Sequence, residues 1–568
     1  MVKFIMRFAV LLVILFLACD NPEILIAEGN IRNIVSVSAD GSSGVETTKL
    51  TIILRENMPP LSAADIQLDA AFPVIKGELK KIENTTYELA IAPGGTGMVR
   101  VSLAPYVFSG WNVEFQQVYA VFHFSGTSRL TITGYHNESS LNVEIPADRI
   151  GVPVIAIGDT AFLNRQLTSV KIPYGIQTIG LNAFGSNRLT NVVIPGSVDR
   201  IGSFAFANNQ LTRVFIPESV RHILDGAFQN NQIISADIPD GVEHIGNFSF
   251  ANNQLTSIDL PNTVTFLSGF NTNLLTEIEI PLSVTSIGSS AFANNMLAGE
   301  LVVSDRVTSI GASAFANNRL PSVVIPNGVT TIGADAFSGN RLESVTIPNS
   351  VTSMGSNAFA SNLLESVVLS ESLTTIAAGA FVNNRLPSVT IPDTVTSIGG
   401  SAFAGNRLVS ITIPDTVTSI GAGAFATNLL ESIDVPDSVT SIGGNAFGNN
   451  RLESVTIPGG ITAITDRMFQ NNRLEEIIFH DELESIGDFA FVNNRLESIV
   501  IPDNITSIRN GAFTNNNELT SITIGANVSF FGIPFGNGFE IAYNVENNKA
   551  AGTYVRQPGT NTWEFFPR

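Results

Sequence analysis

The sequence predicts a mainly β chain, in which a solenoid of stacked coils follows a β-sandwich. Three observations carry that prediction. Phenylalanine recurs at 162, 184, 206, 228, 250, 270, 292, 315, 337, 359, 381, 403, 425, 447, 469, 491 and 513, and 14 of the 16 intervals are 22 residues. The two exceptions are 20 (Phe250 to Phe270) and 23 (Phe292 to Phe315). Leu, Val and Ile recur between these anchors at set offsets, whereas residues 31–125 lack the period and alternate apolar with polar residues.

Taken in order, the chain opens MVKFIMRFAVLLVILFLAC, with Lys3 and Arg7 ahead of an unbroken apolar run from Phe8 to Leu17. A membrane-crossing helix needs about 20 apolar residues, so this shorter run has the form of a secretory leader, residues 1–18. Its end, Phe16-Leu17-Ala18-Cys19, resembles a bacterial lipobox, in which the cysteine becomes the lipidated first residue of the mature protein. Phe16 stands where Leu is usual. Cys19 is the only cysteine in 568 residues. The alternative is an ordinary leader with an incidental cysteine. Residues 19–30 read as a short tether. Residues 31–125 hold the runs NIVSVSA, KLTIILRE, IQLDAAF, TYELAIA, MVRVSLA and VEFQQVYAVFHF, separated by turns such as Ala39-Asp40-Gly41. Period-two runs of that length predict an Ig-like β-sandwich.

The repeats, residues 161–534, follow a cap at 126–160 and precede a second cap at 535–568. A typical unit is AFANNRLPSVVIPNGVTTIGAD, residues 314–335. A period of roughly 20 to 29 residues with such offsets is the signature of a leucine-rich repeat solenoid. Leu-x-x-Val-x-Ile puts Val and Ile on one face of a short strand that stacks in parallel on its neighbours. Pro follows the Ile in 13 of 17 units and ends the strand, having no N–H to donate. Val-x-x-Ile-Gly lines the opposite wall, and Ala-Phe closes the coil with a ring in the core. Asn stands three residues after the Phe in 16 of 17 units, with Arg165 the exception. A polar residue held beside a core column is expected to be buried and to satisfy loop backbone groups.

These units resemble the BspA-type, or treponemal-type, leucine-rich repeats of bacterial surface proteins, whose pattern places Cys or Asn at the ladder position. The likeness spans roughly residues 127–568. It includes a lead-in similar to the family's first capping turn. It also includes a closing segment where Tyr543, Tyr554 and Trp563 are expected to cover the last coil. The resemblance implies a lipid-anchored protein of the bacterial outer membrane that attaches to host matrix proteins, host cells or other bacteria. The alternative is a structural or antigenic coat protein without a single partner, which the near-identity of coils 315–450 favours.

Composition and motifs narrow the chemistry. Asp and Glu number 50 against 30 Lys and Arg, a formal charge of −20, which leaves no basic stripe for nucleic acid. One cysteine excludes a disulfide framework and Cys-based metal sites. There are five His and no metalloprotease, nucleophile-elbow, phosphate-loop or calcium-loop motif, so neither an enzyme nor a cofactor is expected. Arg precedes the strand Leu at 319, 341, 385, 407, 451, 473 and 495, and Glu follows it at 343, 365, 431, 453, 475 and 497. Residues two apart on a strand share a face, so these columns can pair along and between coils; the alternative is a solvated, self-compensating charge ladder in which exposed pairs contribute little. The position between Val and Ile runs Phe215, Asp237, Asp259, Glu279, with Glu277 beside it and Arg213 nearby. Stacked carboxylates repel unless a cation is near, so these residues are a candidate site for a basic protein partner or Ca²⁺; the alternative is a wet acidic face without a ligand.

Overall fold

The computed structural model describes residues 124–125, 129–135, 141–149, 152–557 and 560–568 with side chains. It adds the backbone of Val121–Ser125, of Leu130–His136 and of eight earlier strands between 12 and 103. The chain forms two compact units, Met1–Ile233 and Ile234–Arg568.

In the first unit the eight early strands make two antiparallel sheets. One has the order Ile24–Ala27, Leu12–Leu17, Gly97–Leu103, Ile66–Ala70. The other runs Ile34–Ala39, Lys49–Leu54, Thr86–Pro93, Val74–Lys81. The side chains that would make these sheets a sandwich lie outside the described residues, as does Cys19. Leu12–Leu17, expected within the leader, is a strand here, and Ile24–Ala27 is a strand within the expected tether. Short apolar runs do not distinguish a leader from a central strand by pattern alone. Val121–Ser125, expected at the end of the sandwich, instead pairs antiparallel with Leu130–His136. That strand opens the coil stack, running parallel to Val152–Ile157, which is followed in register by Thr178–Ile179, Arg200–Ile201 and His222–Ile223.

The second unit is a stack of coils, each with one or two short parallel strands and almost no helix. The Val-x-x-Ile segment forms the more continuous ladder: His244–Ile245, Phe266–Leu267, Ser286–Ile287, Ser309–Ile310, Thr331–Ile332 and Ser353–Met354 pair one after another. It resumes from Thr375–Ile376 to Ser441–Ile442 and from Ala463–Ile464 to Ser529–Phe530. The Val-x-Ile segment pairs only in places, as between Ser344–Thr346 and Ser366–Val368 or Ser454–Thr456 and Glu476–Ile478.

The Phe column is the core in both units. Ring centroids stand 4.9 to 5.4 Å apart from Phe162 to Phe228, with planes within 14°. From Phe250 to Phe513 successive rings are 5.3 to 5.8 Å apart and again nearly parallel. The rise of the coils sets this spacing, about one strand separation. Two rings that the repeat count leaves out extend the column. Tyr135 lies 5.1 Å from Phe162, and Phe535 lies 5.0 Å from Phe513.

All 16 ladder asparagines are buried. Asn340 is representative: its Nδ2 donates to the Phe315 carbonyl at 2.9 Å and the Phe337 carbonyl at 3.1 Å. Its Oδ1 accepts from the Leu320 N–H at 3.1 Å. Each such side chain ties two coils together where the backbone turns too sharply to pair with itself. The residue before it often has a left-handed backbone, as at Asn317 (φ 54°), Asn449 (58°) and Asn493 (57°). Asn tolerates that region better than most residues. These asparagines form a second, exposed ladder: Asn471 donates to Asn449, Asn493 to Asn471, and Asn515 to Asn493.

Candidate functional site

Two irregular coils shape the surface of the second unit. In the 20-residue interval, Leu267-Ser268-Gly269-Phe270 replaces the longer turn seen at Ile245-Gly246-Asn247-Phe248-Ser249-Phe250. Gly269 allows this shortcut, because it adopts φ +96° and a Cβ there would lie 2.5 Å from the Gly246 carbonyl oxygen. In the 23-residue interval the extra residue enters just before the strand. Leu301 pairs with Val323 and Val302 with Val324, yet four steps separate Leu297 from Leu301 where three separate Leu320 from Val323. The surplus is taken up at Gly299-Glu300, where Gly299 faces open space.

Between these irregularities lies a cleft of about 400 Å³ lined by Ser257, Ile258, Asp259, Glu277, Ile278, Glu279, Leu297, Gly299, Glu300, Leu301 and Leu320. Leu297, Leu301 and Leu320 are buried and give it an apolar floor. Asp259, Glu277, Glu279 and Glu300 are exposed and put four carboxylates on its walls. The strand ladder is interrupted there: Ser257–Asp259 and Glu277–Glu279 form no strand, and their backbone N–H and C=O groups make no hydrogen bond within the chain. The cleft therefore offers carboxylate acceptors and apolar contact at one place.

The structure gathers part of the expected site. Asp259, Glu277 and Glu279 share the cleft, and Glu300 joins them. Asp237 is exposed on Ser235–Asp237 but does not line it. Arg213 and Phe215 belong to the first unit, exposed at either end of Arg213–Phe215, with Phe215 65% accessible. Counting from the Phe anchors does not bring out Glu300, because the inserted residue moves it one step from the offset that Glu277 occupies. The 23-residue interval was the available signal. Among the described residues no group of three His, Cys, Asp or Glu is arranged to hold a metal ion. No described helix is long and apolar enough to cross a membrane.

Among the described residues the Arg and Glu columns form a solvated ladder without ion pairs. All seven Arg and all six Glu are exposed, and none joins an ion pair with the other column. Each side chain projects from a strand entry beside a buried Leu, and water competes well for so open a pair. Ion pairs do form elsewhere, between Lys171 and Glu144 and between Arg568 and Asp503.

The coil period, the Phe column and the buried Asn ladder together define a leucine-rich repeat solenoid, a scaffold whose repeated surface binds proteins and which is not typically enzymatic. Residues 155–270, 268–385, 308–429, 374–495 and 419–533 match the family described as BspA type leucine rich repeat region (6 copies). The matched stretches span more than half of the chain, and the protein belongs to that family. No curated protein matches it. Among solved structures it is similar to a leucine-rich repeat protein from Bacteroides ovatus, at 22% identity over 74% of this chain and 91% of that one, with a TM-score of 0.36. YopM from Yersinia enterocolitica matches at 15% identity over 69% and 87%, TM-score 0.43. A leucine rich cell surface protein from Faecalibacterium prausnitzii matches at 22% identity over 72% and 95%, TM-score 0.30.

Proposed function

We propose that this chain is a bacterial surface lipoprotein, anchored in the outer membrane through Cys19, that acts as an adhesin. Its solenoid binds proteins of the host matrix, of host cells or of other bacteria, and catalyses no reaction. The observation that carries this reading is the cleft at Asp259, Glu277, Glu279 and Glu300. Four carboxylates around an apolar floor favour a basic segment, whose Lys or Arg heads neutralise the walls while their stems cover the Leu side chains. Asp237 adds negative charge on the same unit, and Arg213 and Phe215 are separate exposed contacts on the first unit. The leader and Cys19 support the anchor, and the family supports the protein-binding role.

Adhesion of cells bearing the full chain to a matrix-coated surface tests this. Replacing Asp259→Asn, Glu277→Gln, Glu279→Gln and Glu300→Gln together should lower adhesion about tenfold or more at low salt. Wild-type adhesion should itself weaken as screening shortens to about 8 Å at physiological ionic strength. Adhesion of the fourfold variant equal to wild type at low salt rejects the cleft as the site.

A further inference from the structure

We propose that the strand face of coils 451–497 docks a second copy of this chain, about a twofold axis that runs along the Leu column. The proposal stands apart from the acidic cleft. On three consecutive coils an Arg and a Glu flank a buried Leu: Arg451-Leu452-Glu453, Arg473-Leu474-Glu475 and Arg495-Leu496-Glu497. Backbone bonds hold these columns in register. The Arg473 N–H donates to Leu452 at 3.0 Å, the Glu475 N–H to Glu453 at 2.9 Å, and the Arg495 N–H to Leu474 at 3.0 Å. The six side chains make no hydrogen bond or ion pair within the chain. Each charge instead has a like charge above or below it, about 4.8 Å away, and its opposite across the Leu.

Charge complementarity selects the occupant. A polyanion would meet the Glu column, and a polycation the Arg column. A partner satisfying both must carry two parallel columns of opposite charge in reversed lateral order. A second copy turned about an axis along the columns presents that reversal, and each coil then meets its own counterpart with Arg against Glu twice. Turned about an axis across the columns, it would set Arg against Arg. The favoured arrangement is isologous and closed, as most homodimers are. Elsewhere a chain of charge −20 repels its copy, whereas here three Arg stand against the three column Glu and the exposed Glu476, so repulsion between copies is low on this face.

Sedimentation velocity of the full chain, over a range of concentration and salt, tests the proposal. Wild type should form a dimer that weakens as salt rises. Arg451→Glu with Arg473→Glu and Arg495→Glu should be monomeric, as should Glu453→Arg with Glu475→Arg and Glu497→Arg, each with a dimer Kd raised about 100-fold or more. An equimolar mixture of the two triple variants should recover a dimer, because an all-Glu face then meets an all-Arg face. Recovery also establishes that both variants remain folded. Monomeric wild type, variants that dimerise as wild type does, or a mixture that stays monomeric would each overturn the proposal. Monomeric wild type that binds a heparin column through the three Arg would do so in favour of a polyanion.

Discussion

A single amide side chain explains much of why this repeat tolerates so little change at one place. The ladder Asn must donate to two carbonyls and accept from one N–H at a fixed reach, which neither Asp nor a hydroxyl residue can do. Replacing Asn340 with Ala strands the Leu320 N–H and the Phe315 and Phe337 carbonyls, at a cost of about 3 kcal/mol near that coil. Amide exchange at Leu320 should accelerate about 100-fold, and unchanged exchange would show that the coil holds without its ladder. This residue was legible in the sequence, because a polar identity kept in 16 of 17 coils has no surface explanation. The exposed Asn ladder beside it was less so. Its cause is a left-handed backbone that Ser361 (φ 54°), Gly405 (68°) and Thr427 (59°) also adopt, so the identity varies where the conformation does not.

At the scale of the coil, period and offsets located the core and both strand segments, but not which segment would pair. The Val-x-x-Ile side carries the longer ladder. The Val-x-Ile side lacks strands at Ser257–Asp259 and Glu277–Glu279, as it does at 388–390. Alternation likewise marked Val121–Ser125 as a strand but could not assign it to a sheet. Phe535 was legible, since it stands one period beyond Phe513, whereas Tyr135 lies in a cap that does not keep the spacing. The closing cap is aromatic: Phe539 packs edge-on against Trp563 and Tyr554, each with centroids 5.2 Å away. The Tyr543 hydroxyl donates to the Gly525 carbonyl at 2.7 Å and accepts from the Val528 N–H at 2.9 Å. Burial raises the pKa of Tyr543, and burial followed by the Tyr543 charge pushes Tyr554 up to about 12. The folded cap therefore favours the neutral phenols. Its contribution is complete below about pH 10 and is lost as pH rises from there through 12. Tyrosinate absorbance should show a late-titrating phase, accompanied by a change in Trp563 fluorescence and removed by Tyr554→Phe. Titration of every Tyr near its ordinary value would contradict this packing.

Across the whole chain, the formal charge of −20 and low cation content argue against nucleic acid, and the repeat identifies the family, but neither locates a binding site. Three of the cleft carboxylates were legible as a column of like charge. Glu300 and the concavity were not, because they arise from a one-residue insertion whose effect appears only when neighbouring coils are set in register. The Arg and Glu columns were equally plain in the sequence, yet their failure to pair within the chain needed the structure. The second unit thus carries two faces of different character, an acidic cleft at 257–301, proposed for a basic partner, and charge columns at 451–497, proposed for a second copy. Adhesion through the cleft is the proposal on which the function rests. Amide hydrogen exchange of the full chain, alone and bound to the matrix protein that retains it, measures that most directly. The account predicts slowed exchange at 257–259, 277–279 and 299–301. Unchanged exchange at those residues, with protection confined to other coils or to the strands between 34 and 103, would contradict it.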